Sequence, residues 1–416
     1  MSTSRAVALI VLLSLLSAGL LALTSRTPAA VRLAVAERDA TDPLLGAGFS
    51  DAQVARHGAY RRPAYTGLAL SLILEIGTLL LLAAGPFRSL VARMEAAPGG
   101  WWGRVALLGV ALGIILMLVA LPLSFVRGHV IEHAWGLSTQ SALAWLGDQA
   151  RGLLIGAVVS AVSAVAFFGV LRAAPRLWWL WGWAVFTVLT IVMTFVWPVV
   201  VAPLFNTFTP LEDGSLKNRV AVLARESGVR VDEVLVADAS KRSTAENAYV
   251  AGLGGTQRLV LYDTLIEAGD DDETAFVVAH ELGHKSGEHI IKGLALAAVG
   301  LLLGFALLKL LADHSGWWGW AGARGITDPR SIPLLVLFAT LATLATLPVQ
   351  NTVSRHFERQ ADRVALELTG DPDTATRVFR RLAFSNLADL RPPRAAVWLL
   401  YSHPPVSERI KSATAD

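Results

Sequence analysis

The sequence predicts a mainly α, polytopic membrane protein: seven transmembrane helices and a small α+β polar domain. Three observations carry that prediction. Hydrophobic residues make up 54% of the 416-residue chain and charged residues only 17%, where a soluble domain carries about 25% charged residues. Seven apolar stretches reach the length of about 18 residues needed to cross a bilayer. Between the fifth and sixth of them, and again after the seventh, the chain turns polar.

The spans are Ala6–Thr24, Ala64–Ala84, Val105–Phe125, Leu153–Leu171, Leu177–Val201, Gly293–Leu311 and Ile332–Val349. Trp101, Trp102, Trp178, Trp179, Trp317 and Trp318 lie near span ends, where interfacial aromatics gather. Arg5 ahead of the first stretch and small residues near its end also fit a cleaved signal peptide, although multispanning chains often keep their first span. Glu75, inside the second span, reads equally as facing water within the bundle or as paired with an arginine.

These spans divide the chain into a membrane region with five spans (1–201), a first polar piece (202–292), two further spans (293–350) and a second polar piece (351–416). In the first polar piece, Leu216–Ser227 reads as a helix. Val231–Ala237, Asn247–Gly252 and Arg258–Tyr262 read as short strands bounded by turn residues. The second piece reads as mainly helical. Two crossings separate the pieces, so both emerge on one side and can share a site. Arg26, Arg32, Arg38, Arg56, Arg61 and Arg62 in the loop after the first span make that side cytoplasmic by the positive-inside rule. The expected location is the cell membrane.

A net charge of +3, spread over arginines flanking apolar runs, offers no phosphate-binding stripe. The bilayer, and not nucleic acid, is the expected partner. With no cysteine, disulfides and thiolate metal sites are excluded, and a metal would be held by His, Asp, Glu and water.

His280-Glu281-Leu282-Gly283-His284 carries the chemistry. On a helix, positions i and i+4 share a face one turn apart, so His280 and His284 can grip one metal ion. Glu281 stands beside that grip within reach of a water on the metal, which is the H-E-x-x-H arrangement of zinc peptidases. Asp270-Asp271-Asp272-Glu273 place acidic groups at the helix start, where the dipole favours them. Phe276, Val277, Val278 and Ala279 make the helix a buried one. The bland alternative is a solvated helix carrying two histidines.

A catalytic zinc takes three protein ligands and one open position. The third is assigned to Glu358, in the segment that continues the seventh span. Asp362, four residues on, shares its face and can accept a proton from a ligand imidazole. Arg355 is placed with Asp362 behind the ligands. The plain alternative is a surface helix of Arg–Glu and Arg–Asp pairs. His289, five residues after His284, is off its face and is not expected to be a ligand. His129, His133 and His356 read as groups without assigned chemistry.

His280–His284 together with Glu358-Arg359-Gln360-Ala361-Asp362 resembles the type-1 CAAX prenyl protease family of integral-membrane zinc metalloendopeptidases. Ile131-Glu132 with Gly136 and Gln140-Ser141 agrees. So do Pro203-Leu204-Phe205-Asn206, Pro210-Leu211-Glu212-Asp213-Gly214, Ser240-Lys241-Arg242-Ser243 through Asn247-Ala248-Tyr249, Leu261-Tyr262-Asp263-Thr264-Leu265, and Tyr401-Ser402-His403-Pro404-Pro405 with Glu408-Arg409. The match is most specific from about residue 198 onward and weakest before about residue 120. The resemblance implies a zincin-like (gluzincin) catalytic domain. It also implies a chamber enclosed by the membrane helices, with the metal at its cytoplasmic end. At the His-Pro position it places His403 near the metal, where an imidazolium N–H can stabilise an oxyanion.

The expected reaction is peptide-bond hydrolysis with one Zn2+ per chain, Glu281 as general base and His403 as oxyanion partner. Asn247 and Tyr249, on a candidate edge strand, are the expected substrate-binding residues. Expected substrates are peptides or proteins, plain or lipidated, with the family pointing to C-terminal CAAX-box processing. Abundant Arg over Lys, with much Ala, Gly and Val, resembles a GC-rich bacterium, where prenylated substrates are not expected. Two other readings stay open: an HtpX-type protease clearing membrane or misfolded proteins, and a zinc-binding transporter without hydrolysis. Glu281 counts against the transporter, because a pure binding site needs no base there.

Overall fold

The computed structural model describes residues 3–25, 49–94, 100–231 and 233–414. Arg26, Arg32 and Arg38, used above to orient the chain, lie outside the described residues. The chain is mainly helical, and seven of its described helices are long and apolar enough to cross a membrane. Five precede the polar domain: α1 (Thr3–Thr24), α2 (Asp51–Ala83), α3 (Gly100–Phe125), α4 (Ala142–Ala173) and α5 (Trp178–Val196). Outward-facing residues such as Leu154, Leu303 and Leu310 stay about two-thirds exposed. A water-soluble protein would not display them in such numbers, and lipid is the solvent that suits them. Between helices, Phe87, Phe168 and Phe305 join Leu79 and Leu108 in a packed cluster. A Cβ on Gly109 of α3 would lie 2.8 Å from the Ala164 Cβ of α4, so the glycine lets these two helices approach closely.

The helices outrun the apolar stretches. Ser50 and Gln53 cap α2 reciprocally: the Ser50 hydroxyl accepts from the Gln53 amide at 3.2 Å, and the Gln53 side chain accepts from the Ser50 amide at 2.9 Å. This is a capping box with Gln at its third position. α3 and α5 run on into π-helical turns at Val126–Ile131 and Trp197–Val201, where the bundle hands over to the polar domain. Inside the bundle the Glu75 carboxylate accepts a 2.8 Å hydrogen bond from the Thr340 hydroxyl. That bond ties two spans together through a hydroxyl rather than through an arginine.

The polar domain contains α6 (Ser215–Glu226) and a four-stranded sheet: β1 (Phe208–Pro210), β2 (Val234–Ala237), β3 (Ala248–Ala251) and β4 (Arg258–Tyr262). Strand order is β1-β2-β4-β3, with the β2/β4 pair parallel and the other two pairs antiparallel. β3 is therefore an edge strand. Helix α7 (Asp271–Ser286) leads into the sixth span, α8 (His289–Ala312). The seventh span belongs to α9 (Ile332–Thr369), followed by α10 (Pro372–Ser385), α11 (Arg394–Leu400) and α12 (Val406–Ala413).

At 38 residues, α9 is about 57 Å long, nearly twice the bilayer's hydrocarbon core of about 30 Å. Its last turns therefore stand clear of lipid and carry polar residues. Gly370, at φ 62°, ends it in the left-handed conformation glycine adopts without strain. One core unites the two polar pieces: Leu223, Leu259 and Leu261 pack with Phe276, Val278, Phe379 and Ile410.

Candidate metal centre

Helix α7 is built to be buried. The Asp270 carboxylate caps it by accepting from the Glu273 amide at 2.7 Å, and Asp271, Asp272 and Glu273 fill the first turn. Every residue from Glu273 to Gly283 is buried. Gly283 rests against α9, where a Cβ would lie 2.8 Å from the Ala361 Cα and 3.1 Å from its carbonyl oxygen. This close approach sets His280 and His284 opposite Glu358 and Asp362.

The structure brings the three predicted ligands together. His280 Nε2 lies 3.1 Å from His284 Nε2 and 3.4 Å from Glu358 Oε2, and His284 Nε2 lies 3.3 Å from Glu358 Oε1. Ligand atoms about 2.05 Å from a tetrahedral zinc would be spaced about 3.3 Å apart. Glu358 Oε2 is buried without a hydrogen-bond partner among the described residues, as a carboxylate oxygen meant for a cation would be. Burial opposes charge on His280, but the carboxylates of Asp362 and Glu358 beside it outweigh that and carry its pKa up to about 9. Positive charge is thus favoured at this point.

Behind the ligands, Asp362 Oδ1 lies 2.9 Å from His280 Nδ1. Arg409 grips the same carboxylate through both oxygens, at 2.6 and 2.9 Å, and stacks its guanidinium 4.2 Å from the centre of the Phe379 ring. Sequence reasoning noted Arg409 only as part of a motif and missed this contact. Arg355 does not join Asp362. Its guanidinium instead donates to the carbonyls of Val397 and Tyr401 at 2.8 and 2.6 Å, because α9 turns that side chain toward the chain segment leading to His403. The sequence also passed over His289, whose Nδ1 lies 2.8 Å from His284 Nδ1.

Glu281 is buried beside the ligands, and its Oε2 accepts a 3.1 Å hydrogen bond from the Val250 amide on β3. Burial raises its carboxyl pKa above the usual range, while His280 and His284 pull the other way. His403 Nε2 stands 3.4 Å from Glu358 Oε1, and its Nδ1 lies 2.9 Å from the Ser402 hydroxyl. Desolvation lowers its pKa despite the attraction of Glu358.

A cavity of about 680 Å³ opens from these residues toward α2 and the π-helical turn after α3, reaching Tyr60, Leu68, Arg127 and Glu132. Asn247 lines it. The Tyr249 side chain does not. Within β3, alternation turns it away from the face of Ala248 and Val250 and onto the opposite face of the sheet, where it meets Tyr262 edge-on with ring centres 6.2 Å apart. His356 is exposed on α9. His129 packs over Phe125 in the π-helical turn, away from the ligands.

The chain is similar to proteins already known. Residues 210–416 match peptidase family M48, and residues 49–207 match the family described as CAAX prenyl protease N-terminal, five membrane helices. The chain is 31% identical to the uncharacterized metalloprotease YhfN of Bacillus subtilis, over 80% of this chain and 79% of that one. It is likewise 31% identical to CAAX prenyl protease 1 of Saccharomyces cerevisiae, over 70% of this chain and 68% of that one. Its fold is similar to the crystal structure of S. mikatae Ste24p, with a TM-score of 0.79 and 25% identity, covering 97% of this chain and 98% of the other.

Proposed function

The chain belongs to peptidase family M48 and is a multi-pass membrane metalloprotease, and from that membership we propose that it cuts peptide bonds with one zinc ion held by His280, His284 and Glu358. The observation that carries this reading is the spacing of the three ligand atoms, 3.1 to 3.4 Å apart, with the Glu281 carboxylate beside them. When bound, zinc acidifies water and polarises the scissile carbonyl.

The protein residues do the rest. Glu281, pinned by the Val250 amide, takes a proton from water and passes it to the leaving amine. Its raised pKa suits a base that must both accept and return a proton. His403 aims its Nε2–H at the developing oxyanion.

Substrate lies extended along β3. Tyr262 N bonds to Asn247 O, and antiparallel alternation then turns the backbone groups of Ala248 away from β4. Those groups are available to pair with a peptide, and Asn247 borders the same cavity. Substrates are peptides or proteins of the membrane, plain or lipidated, trimmed near the C-terminus. The printed name of the yeast relative, CAAX prenyl protease 1, supports this substrate class, and the apolar Leu68 and Ile131 in the cavity wall suit a lipid or aliphatic side chain. The site faces the cytoplasm.

The test is hydrolysis by the detergent-purified chain of prenylated and unprenylated peptides ending in Cys-aliphatic-aliphatic-X, with products read by mass spectrometry with and without a chelator. Chelator-sensitive cleavage supports the reading. Zinc-loaded protein that cleaves neither peptide overturns it.

A further inference from the structure

We infer that His289 and Gln360 form a relay that holds His284 in the one tautomer able to bind a metal through Nε2. The inference rests on the proposed metal site and goes beyond it, to residues that touch neither metal nor substrate.

His284 presents Nε2 to the other ligand atoms, 3.1 Å from His280 Nε2 and 3.3 Å from Glu358 Oε1. Its other nitrogen, Nδ1, lies 2.8 Å from His289 Nδ1, and His289 Nε2 lies 3.0 Å from Gln360 Oε1. Only one proton arrangement satisfies every contact. A ligating Nε2 must carry a lone pair, so His284 is protonated at Nδ1 and donates there. His289 Nδ1 must then accept, which leaves its proton on Nε2. That proton goes to the Gln360 carbonyl oxygen, which can only accept. The chain closes on an amide whose orientation is set by this same network.

The relay is held firmly. His289 is 6% exposed, and its ring lies flat on Phe357, with 4.3 Å between centres and 9° between planes. Gly287 leaves room for it, since a Cβ there would fall 2.4 Å from His289 Nε2. Phe357, Glu358 and Gln360 all come from one stretch of α9, so the strand of sequence that supplies the third ligand also supplies the floor and the far end of the relay. On a continuous helix, a residue five places on is rotated about 140° away. Here α7 stops at Ser286, Glu288 adopts a left-handed φ of 52°, and α8 restarts at His289. The break folds the imidazole back beneath His284.

The two histidine ligands are therefore backed differently. His280 faces the Asp362 carboxylate, which Arg409 clamps. His284 faces a neutral imidazole. A carboxylate partner makes a ligand imidazole more basic, so His280 is the stronger donor, and the neutral relay orients His284 without adding a second negative charge.

The test uses the full chain in detergent, with zinc affinity measured by competition against a chromophoric chelator and folding followed by thermal unfolding. In His289→Ala, zinc binding should weaken about 10- to 100-fold, the usual cost of losing such a partner. In His289→Asn, the amide oxygen can stand where Nδ1 was and accept from His284, so affinity should return to near wild type. Gln360→Leu, at a partly exposed position, removes the terminal acceptor and should weaken zinc binding less than His289→Ala. If His289→Ala fails to fold, Gln360→Leu decides. Variants that fold and hold zinc as tightly as wild type overturn the relay. So does an Asn variant no better than Ala, because packing alone would then explain the loss. Wild-type protein that takes up no zinc would instead sink the underlying metal-site reading, and that outcome is read directly from the control.

Discussion

Gly283 and Ala361 bring together the two helices that carry His280, His284 and Glu358: a Cβ on Gly283 would lie 2.8 Å from the Ala361 Cα. The obstacle is backbone, which cannot swing aside as a side chain can. Gly283→Ala should push α7 and α9 apart, destabilise the fold by about 1–3 kcal/mol and weaken zinc binding. Thermal unfolding and zinc content of the purified variant check this. Unchanged values for both would show that the helices have slack.

Glu281 accepts from the Val250 amide and is not among the three clustered ligands. Glu281→Gln keeps the size of the side chain and removes the base. It should retain one zinc per chain and lose about 10²- to 10⁴-fold in turnover. Peptide hydrolysis, with elemental analysis of the same sample, separates the two effects. Substantial residual activity would remove Glu281 from the proton-transfer role.

Asp362 stands between His280 and Arg409. Asp362→Asn keeps a hydrogen-bond acceptor but removes the charge that both neighbours require. Zinc affinity should fall about 10- to 100-fold, as read by chelator competition. An affinity equal to wild type would leave Asp362 with only a packing role.

Arg355 holds the carbonyls of Val397 and Tyr401, just ahead of His403. Arg355→Ala should therefore loosen the His403 segment without disturbing the ligands. Turnover should drop while zinc content stays at wild type. Loss of zinc in a folded Arg355→Ala protein would return this arginine to the layer behind the metal, where the sequence had placed it.

Two pH dependences follow, and both require loss of a proton. Before metal binds, the pKa of His280 stands at about 9. Below that pH, zinc must displace a proton, so apparent zinc affinity should fall about tenfold for each pH unit of acidification. Glu281 must be ionised to act as base, and burial raises its pKa. Activity at saturating zinc should therefore fall with acidification at a pH above the ordinary carboxylate range, and the kcat/KM profile checks this. An acid limb at ordinary carboxylate pH would contradict the burial argument.

The sequence carried much of this site because its signals are local. The i, i+4 spacing of His280 and His284 and the continuation of the seventh span into Glu358 both survive without knowledge of tertiary contacts. Other features depend on where distant segments meet. Arg409 reaches Asp362 from α12, and nothing in its own neighbourhood announces that pairing. His289 is not among the clustered ligands, as expected, but the left-handed Glu288 folds it back against His284, a contact that helical arithmetic alone does not foresee. Arg355 was given the right helix but the wrong direction, and Tyr249 the right strand but the wrong face. Strand β1 escaped notice because it has only three residues and ends in Pro210, too short for alternation to register.

The most direct test of the account is the position of zinc itself. Anomalous diffraction at the zinc edge, from crystals of the purified chain, should show one peak per molecule within bonding distance of His280 Nε2, His284 Nε2 and Glu358. A peak elsewhere, or zinc bound by the histidines with Glu358 turned away, would contradict the proposal that the two polar pieces close on one metal.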